Sequence, residues 1–154
     1  MPKKNRVYVD ECGVNTWLQR DYARAPRGTI IEDTKRGSKF QRVNIIGAMC
    51  NGTYYGIECY NQNTDSEFFE CWFEAVLLEK IPKGSTVILD NASFHRKKAL
   101  WKIARGKARL IFLPPYSPDY NSIEKTWANL KRYLGNNMQD YQSLESAIYD
   151  YFGV

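Results

Sequence analysis

The feature that most constrains this 154-residue chain is a change of hydrophobic period near residue 60. Before it, β-branched and aromatic residues come in short runs: 6–10 (RVYVD), 28–31 (GTII), 42–50 (RVNIIGAMC) and 53–59. The last two flank Asn51-Gly52, a strong hairpin signal because both residue types tolerate positive φ. Beyond residue 60, Phe68, Phe69, Trp72, Phe73, Val76 and Leu77 recur at helical spacing, and Pro82 and Gly84 close that helix. Residues 85–89 (STVIL) read as a strand stopping at Asp90, 94–105 as a basic helix closed by Gly106, and 108–113 (ARLIFL) as another strand. The rigid run Pro114-Pro115-Tyr116-Ser117-Pro118 leads into a helix with Ile123, Trp127, Leu130 and Leu134 on one face. Gly135-Asn136-Asn137 is expected to break it, and a final helix is expected over 141–151. A meander followed by alternating helices and strands predicts an α/β fold, a mixed sheet of antiparallel and parallel strands flanked by helices. No repeat or linker divides it, so 1–154 reads as a single domain.

Hydrophobic residues make up 44% of the chain, enough for a packed core. No apolar run approaches the roughly 20 residues of a membrane span, and the basic N-terminus lacks the apolar stretch of a signal peptide. The expectation is a cytoplasmic protein. Cys12, Cys50, Cys59 and Cys71 form no C-x-x-C pair, which favours free thiols over zinc ligation. The whole chain carries +5, yet residues 96–109 alone hold Arg96, Lys97, Lys98, Lys102, Arg105, Lys107 and Arg109 with no acid among them. A block of that kind attracts polyanions, although a solvated helix face has the same composition.

Three acids occupy chemically useful positions. Asp10 and Asp90 are each expected at the end of a strand, and Glu124 at the start of the helix after the Pro-rich loop. If the two strands are neighbours, both carboxylates emerge at one sheet edge, where ligands collect in open α/β sheets. Crowded carboxylates repel unless a cation lies between them, and Mg²⁺ favours such oxygen donors. Each acid also has a purely structural reading. Asp10-Glu11 can open a turn before Gly13, Asp90-Asn91 can form an Asx turn, and Asn121-x-x-Glu124 has the spacing of a capping box.

The run 113–134, LPPYSPDYNSIEKTWANLKRYL, resembles the signature of mariner-superfamily transposases, and most closely that of their bacterial insertion-sequence branch. The runs 87–98 (VILDNASFHRKK) and 7–14 (VYVDECGV) resemble that family's other two motifs, and the likeness covers nearly the whole chain. The resemblance implies an RNase H-like fold and a catalytic, metal-holding triad at Asp10, Asp90 and Glu124, with two Mg²⁺ or Mn²⁺ ions. Thirty-three residues separate Asp90 from Glu124, close to the family's spacing. It implies cleavage of DNA at transposon ends and strand transfer to target DNA, by a homodimer in the active complex. His95, Arg96, Lys97, Lys98 and Lys102, with Arg27 in the loop after the first strand, are the expected DNA contacts. His95 either touches a phosphate or the attacking water, or packs the helix start, whereas Trp127 reads as core. Family members carry a helix-turn-helix region before the first catalytic Asp, which here is residue 10, so that half is expected to be absent or separately encoded. Two other readings stay open: a non-catalytic DNA-binding or assembly remnant, and another RNase H-like nuclease. The last helix, with Leu144, Ile148 and Tyr151, is the candidate interface.

Overall fold

In the computed structural model, residues 5–15, 41–115 and 121–154 are described. The strand expected at 28–31, Arg27 and the loop 116–120 lie outside them. The elements are β1 (Arg6–Asn15), β2 (Arg42–Cys50), β3 (Thr53–Tyr60), α1 (Ser66–Trp72), a π-helical turn (Phe73–Leu77), α2 (Leu78–Lys80), β4 (Thr86–Leu89), α3 (Lys97–Ala104), β5 (Arg109–Phe112), α4 (Glu124–Asn137), a 3₁₀ turn (Met138–Asp140) and α5 (Leu144–Phe152).

The five strands form one sheet in the order β3-β2-β1-β4-β5. β1, β2 and β3 pair antiparallel, while β4 lies parallel to β1 and β5 parallel to β4. Asn51 and Gly52 take positive φ at the β2–β3 turn, as their pairing requires. The mixed sheet expected from the change of period is therefore present.

Side-chain alternation along β1 sends Val7 and Val9 into one core and Val14 into the other. The first core packs Phe69, Trp72, Phe73 and Leu77 from the α1 region and Leu100 and Ala104 from α3. The second packs Ile123, Trp127, Leu130 and Leu134 of α4 with Leu144, Ala147 and Ile148 of α5. Helices thus cover both faces of the sheet. Leu144 and Ile148 of the last helix are fully buried inside this fold, whereas Tyr151 stays half-buried.

Two local expectations are corrected. β1 does not end at Asp10, because its ladder with β2 continues to the pair Asn15–Arg42 and carries Cys12 and Gly13 as strand. Nor does Gly135 break α4, which runs to Asn137. A glycine inside a helix costs about 1 kcal/mol. Burying Leu134 and Met138 on either side of it outweighs that cost.

Candidate functional site at the β1–β4 edge

Tyr8 stands opposite Ile88 where β1 and β4 run side by side. Two further steps along each strand bring Asp10 and Asp90 to the same level. β4 ends at Leu89, so Asp90 leaves the sheet where Asp10 still lies within it. Asp10 and Glu11 are neighbours on a strand and so project to opposite faces.

On the α4 face, the indole Nε1–H of Trp127 donates to Asp10 Oδ2 at 3.2 Å. The Asn121 amide donates to the carbonyl of Val9 at 3.3 Å, one residue before Asp10. Both donors are nearly fully buried, with Trp127 5% exposed. Gly47 stands across the ladder from Asp10, and a Cβ there would overlap Ile57 Cδ1 and touch Trp127 Cη2 at 3.6 Å. The absence of a side chain at 47 leaves the indole its approach to Asp10. Glu124 is the first residue of α4 and is exposed. The capping box that was the structural alternative for Asn121 and Glu124 is replaced by a different arrangement. Asn121 Oδ1 accepts from the Ile123 N–H at 3.4 Å while its amide donates to β1, and the cap residue Ile123 has no side-chain cap hydrogen bond.

On the α3 face, His95 lies between two acids. Its Nδ1 is 3.0 Å from the Asp90 carbonyl and 3.1 Å from Asp90 Oδ1, and its Nε2 is 3.5 Å from Glu11 Oε1. Phe69 and Phe94 enclose the ring, with centroids 4.3 and 4.5 Å away. His95 is 5% exposed and packed against Phe69 and Phe94 just before α3, the arrangement of the second of its two readings. Glu11 Oε1, Asp90 Oδ1 and His95 Nε2 are buried without a well-aligned hydrogen bond, so these contacts are ion pairs at short range.

The electrostatics follow from this crowding. Burial, then the charges of Glu11 and Asp90, push Asp10 up to about 7 against the hydrogen bond from Trp127. Burial also raises Glu11, with His95 opposing it. Burial alone would lower His95, but its close contacts with the Asp90 and Glu11 carboxylates, the Glu11 charge and the Asp90 carbonyl outweigh that and raise it to about 9. The edge therefore holds three carboxyl groups around one buried imidazole whose protonated form they favour. Glu11, Asp90 and His95 place ligand atoms within 4.8 Å of one another, and Asp10 interacts with Asp90 through their charges. Among the described residues Glu124 stands outside that group and makes no ion pair.

The expected DNA contacts divide in the same way. Arg96, Lys97, Lys98 and Lys102 are all exposed. Arg96 is held by Glu70 through two hydrogen bonds of 2.9 Å, and the Lys97 ammonium sits 5.2 Å from the Phe112 ring centroid.

Sequence reasoning placed Trp127 in the core, where it is, but did not see its indole N–H aimed at Asp10. It also set Glu11 aside. The alternation of an Asp-Glu pair within a strand was the available signal for both.

A mixed sheet in this strand order, helices on both faces and paired carboxylates at the β1–β4 edge define an RNase H-like domain. The family model for DDE superfamily endonucleases matches residues 5–146, and the chain belongs to that family. Among solved structures, the Mos1 transposase in a paired-end complex with the left transposon end superimposes with a TM-score of 0.68 at 16% identity. The match covers 99% of this chain and 49% of that one, so this chain spans about half of it. Comparison with curated protein sequences gives no match. Among the described residues, no helix is long and apolar enough to cross a membrane.

Proposed function

We propose that this chain is the catalytic domain of a mariner-like transposase of the bacterial insertion-sequence type, cutting DNA at transposon ends and joining the freed end to target DNA. The observation that carries this reading is the parallel β1–β4 register, which sets Asp10 and Asp90 at one sheet edge beside the helix that begins with Glu124. Mos1 transposase, similar in fold, is known in a complex with a transposon end, and we extend that partner to this chain. A homodimer belongs to the same proposal.

The donor set fits divalent metal. Members of the family use such ions, and this edge crowds three carboxylates, two with buried oxygens lacking an aligned hydrogen bond. Asp10, Asp90 and Glu124 would hold the ions, and oxygen donors of this kind suit Mg²⁺ or Mn²⁺. Two ions bound there would supply activation of a water or 3′-hydroxyl and neutralisation of the leaving oxygen. The protein's own part is positioning. Trp127 restrains one oxygen of Asp10, while Asn121 fixes the approach of α4 to β1. His95 balances the charge of Glu11 and Asp90 and holds the Asp90 backbone. Lys97, Lys98 and Lys102 offer phosphate contacts on the adjoining surface without reading sequence.

The test is Mn²⁺-dependent cleavage or strand transfer on DNA ends, with a DNA-binding half supplied if needed. Asp90→Ala should abolish activity, and calorimetry should show Mn²⁺ binding lost in Asp10→Ala. Full activity in Asp90→Ala would sink the assignment. Absence of Mn²⁺ binding even with DNA present would favour the inert assembly remnant.

A further inference from the structure

The basic helix presents more than charge. α3 turns Leu100 and Ala104 into the core and leaves Lys97, Lys98, Trp101 and Lys102 outside. Trp101 is 52% exposed, the most exposed aromatic among the large hydrophobic residues described. Lys97 and Lys98 precede it by four and three residues, so both lie beside the indole on the helix surface. Its ring lies 6.5 Å from that of Phe112, inclined at 53°, and the Lys97 ammonium covers Phe112 from 5.2 Å. Phe112 in turn is registered opposite Leu89, the residue before Asp90. Lys97, Phe112 and Trp101 therefore make a continuous ridge that starts at the carboxylate edge and runs outward along α3. Among the described residues, Lys97, Lys98 and Lys102 have no acidic partner.

An exposed indole flanked by ammonium groups without acidic partners suits a polyanion that also offers flat π-faces. Duplex DNA supplies the phosphates but keeps its base faces stacked away. An unpaired strand supplies both. A second copy of the same face is disfavoured, because it would bring like charges together. We infer that the Trp101–Phe112 ridge is a stacking platform for an unpaired DNA base next to the cut site, with Lys97 and Lys98 holding its flanking phosphates. This rests on the reading of the chain as a DNA-cutting domain and adds to it a preference for locally melted or single-stranded DNA.

The probes are a labelled blunt duplex and the same duplex with an oligothymidine tail, titrated with the full chain while anisotropy and tryptophan quenching are followed. The wild type should bind the tailed probe more tightly and show quenching. Trp101→Ala should weaken tailed binding roughly ten-fold and leave the blunt duplex nearly unchanged, and Trp101→Phe should restore most of the loss. Lys98→Ala should weaken both probes. Circular dichroism should show both Trp101 variants folded, since half of that side chain is already in solvent. Equal effects of Trp101→Ala on both probes, no effect on either, or no DNA binding by the wild type would overturn the platform. So would a Trp101-dependent dimer in sedimentation without probe selectivity. A chain that fails to cleave but still binds tails through Trp101 would count against the catalytic reading and leave the platform standing.

Discussion

Asp10 and Glu11 share a peptide bond and face different helices. Asp10 meets the indole of Trp127, whereas Glu11 meets the imidazole of His95. Their titration follows from those surroundings. Asp10 has a folded value of about 7 against an ordinary 3.8, so the folded chain holds the extra proton between them and loses stability as pH rises through that window. His95 is raised to about 9 from 6.5, so its contribution is complete below 6.5 and is lost as pH rises through 9. Both act in the same direction. Without divalent ions, the thermal midpoint should fall as pH rises from about 4 to about 9, and Asp10→Asn should flatten the lower part of that fall. Added Mn²⁺ should restore stability mainly above pH 7, where Asp10 is ionised. Unfolding scans across pH, with chelator and with Mn²⁺, check this, and a midpoint rising with pH under chelator would contradict it. Trp127→Phe keeps an aromatic side chain but removes the donor and part of the buried ring volume. It should cost about 1–3 kcal/mol in stability and lower Mn²⁺ affinity measurably by calorimetry. His95→Ala leaves Glu11 and Asp90 facing each other without a cation and opens a void beside Phe69. It should cost on the order of 2–3 kcal/mol in denaturant unfolding.

At the scale of elements, α4 and α3 divide the work. α4 carries Glu124 and is docked by its buried stripe and by the two bonds to β1. Leu130 is completely buried in that stripe. Leu130→Ala should lower stability by about 2–5 kcal/mol and loosen Glu124 relative to Asp10, seen as weaker Mn²⁺ binding at temperatures where the chain stays folded. α3 carries the cations, one of which is already engaged. Arg96 is clamped to Glu70 of α1, a pair with its Arg side in solvent whose removal changes stability by about 1 kcal/mol. Glu70→Ala should therefore leave folding nearly intact while freeing Arg96, and duplex affinity should rise in an anisotropy titration. The two corrected boundaries belong to this scale as well. Strand pairing carried β1 past Gly13, and core contacts carried α4 past Gly135, against local preferences that were read correctly.

For the whole molecule, charge is distributed by function. The chain is only +5, but among the described residues Arg96, Lys97 and Lys98 open α3 exposed, within eight residues of Asp90. Binding there should be salt-dependent. Lys98→Ala with Lys102→Ala should reduce the slope of log affinity against log salt by about 2, one for each phosphate contact removed. An unchanged slope would place the DNA elsewhere.

Much of this was legible in the chain itself. Hydrophobic period distinguished the meander from the helix–strand units, and Asn51-Gly52 marked the hairpin, because both are local properties of consecutive residues. The positions of Asp10, Asp90 and Glu124 in their motifs were equally local. Tertiary structure decided what consecutive residues do not encode. It set β4 beside β1, which brings Asp10 level with Asp90 across a gap of eighty residues. It turned His95 inward between two acids and not outward to a phosphate. It also aimed Trp127 at a carboxylate 117 residues away. Each of these depends on which elements share a face of the sheet, and that is settled only when two separate cores are packed against it.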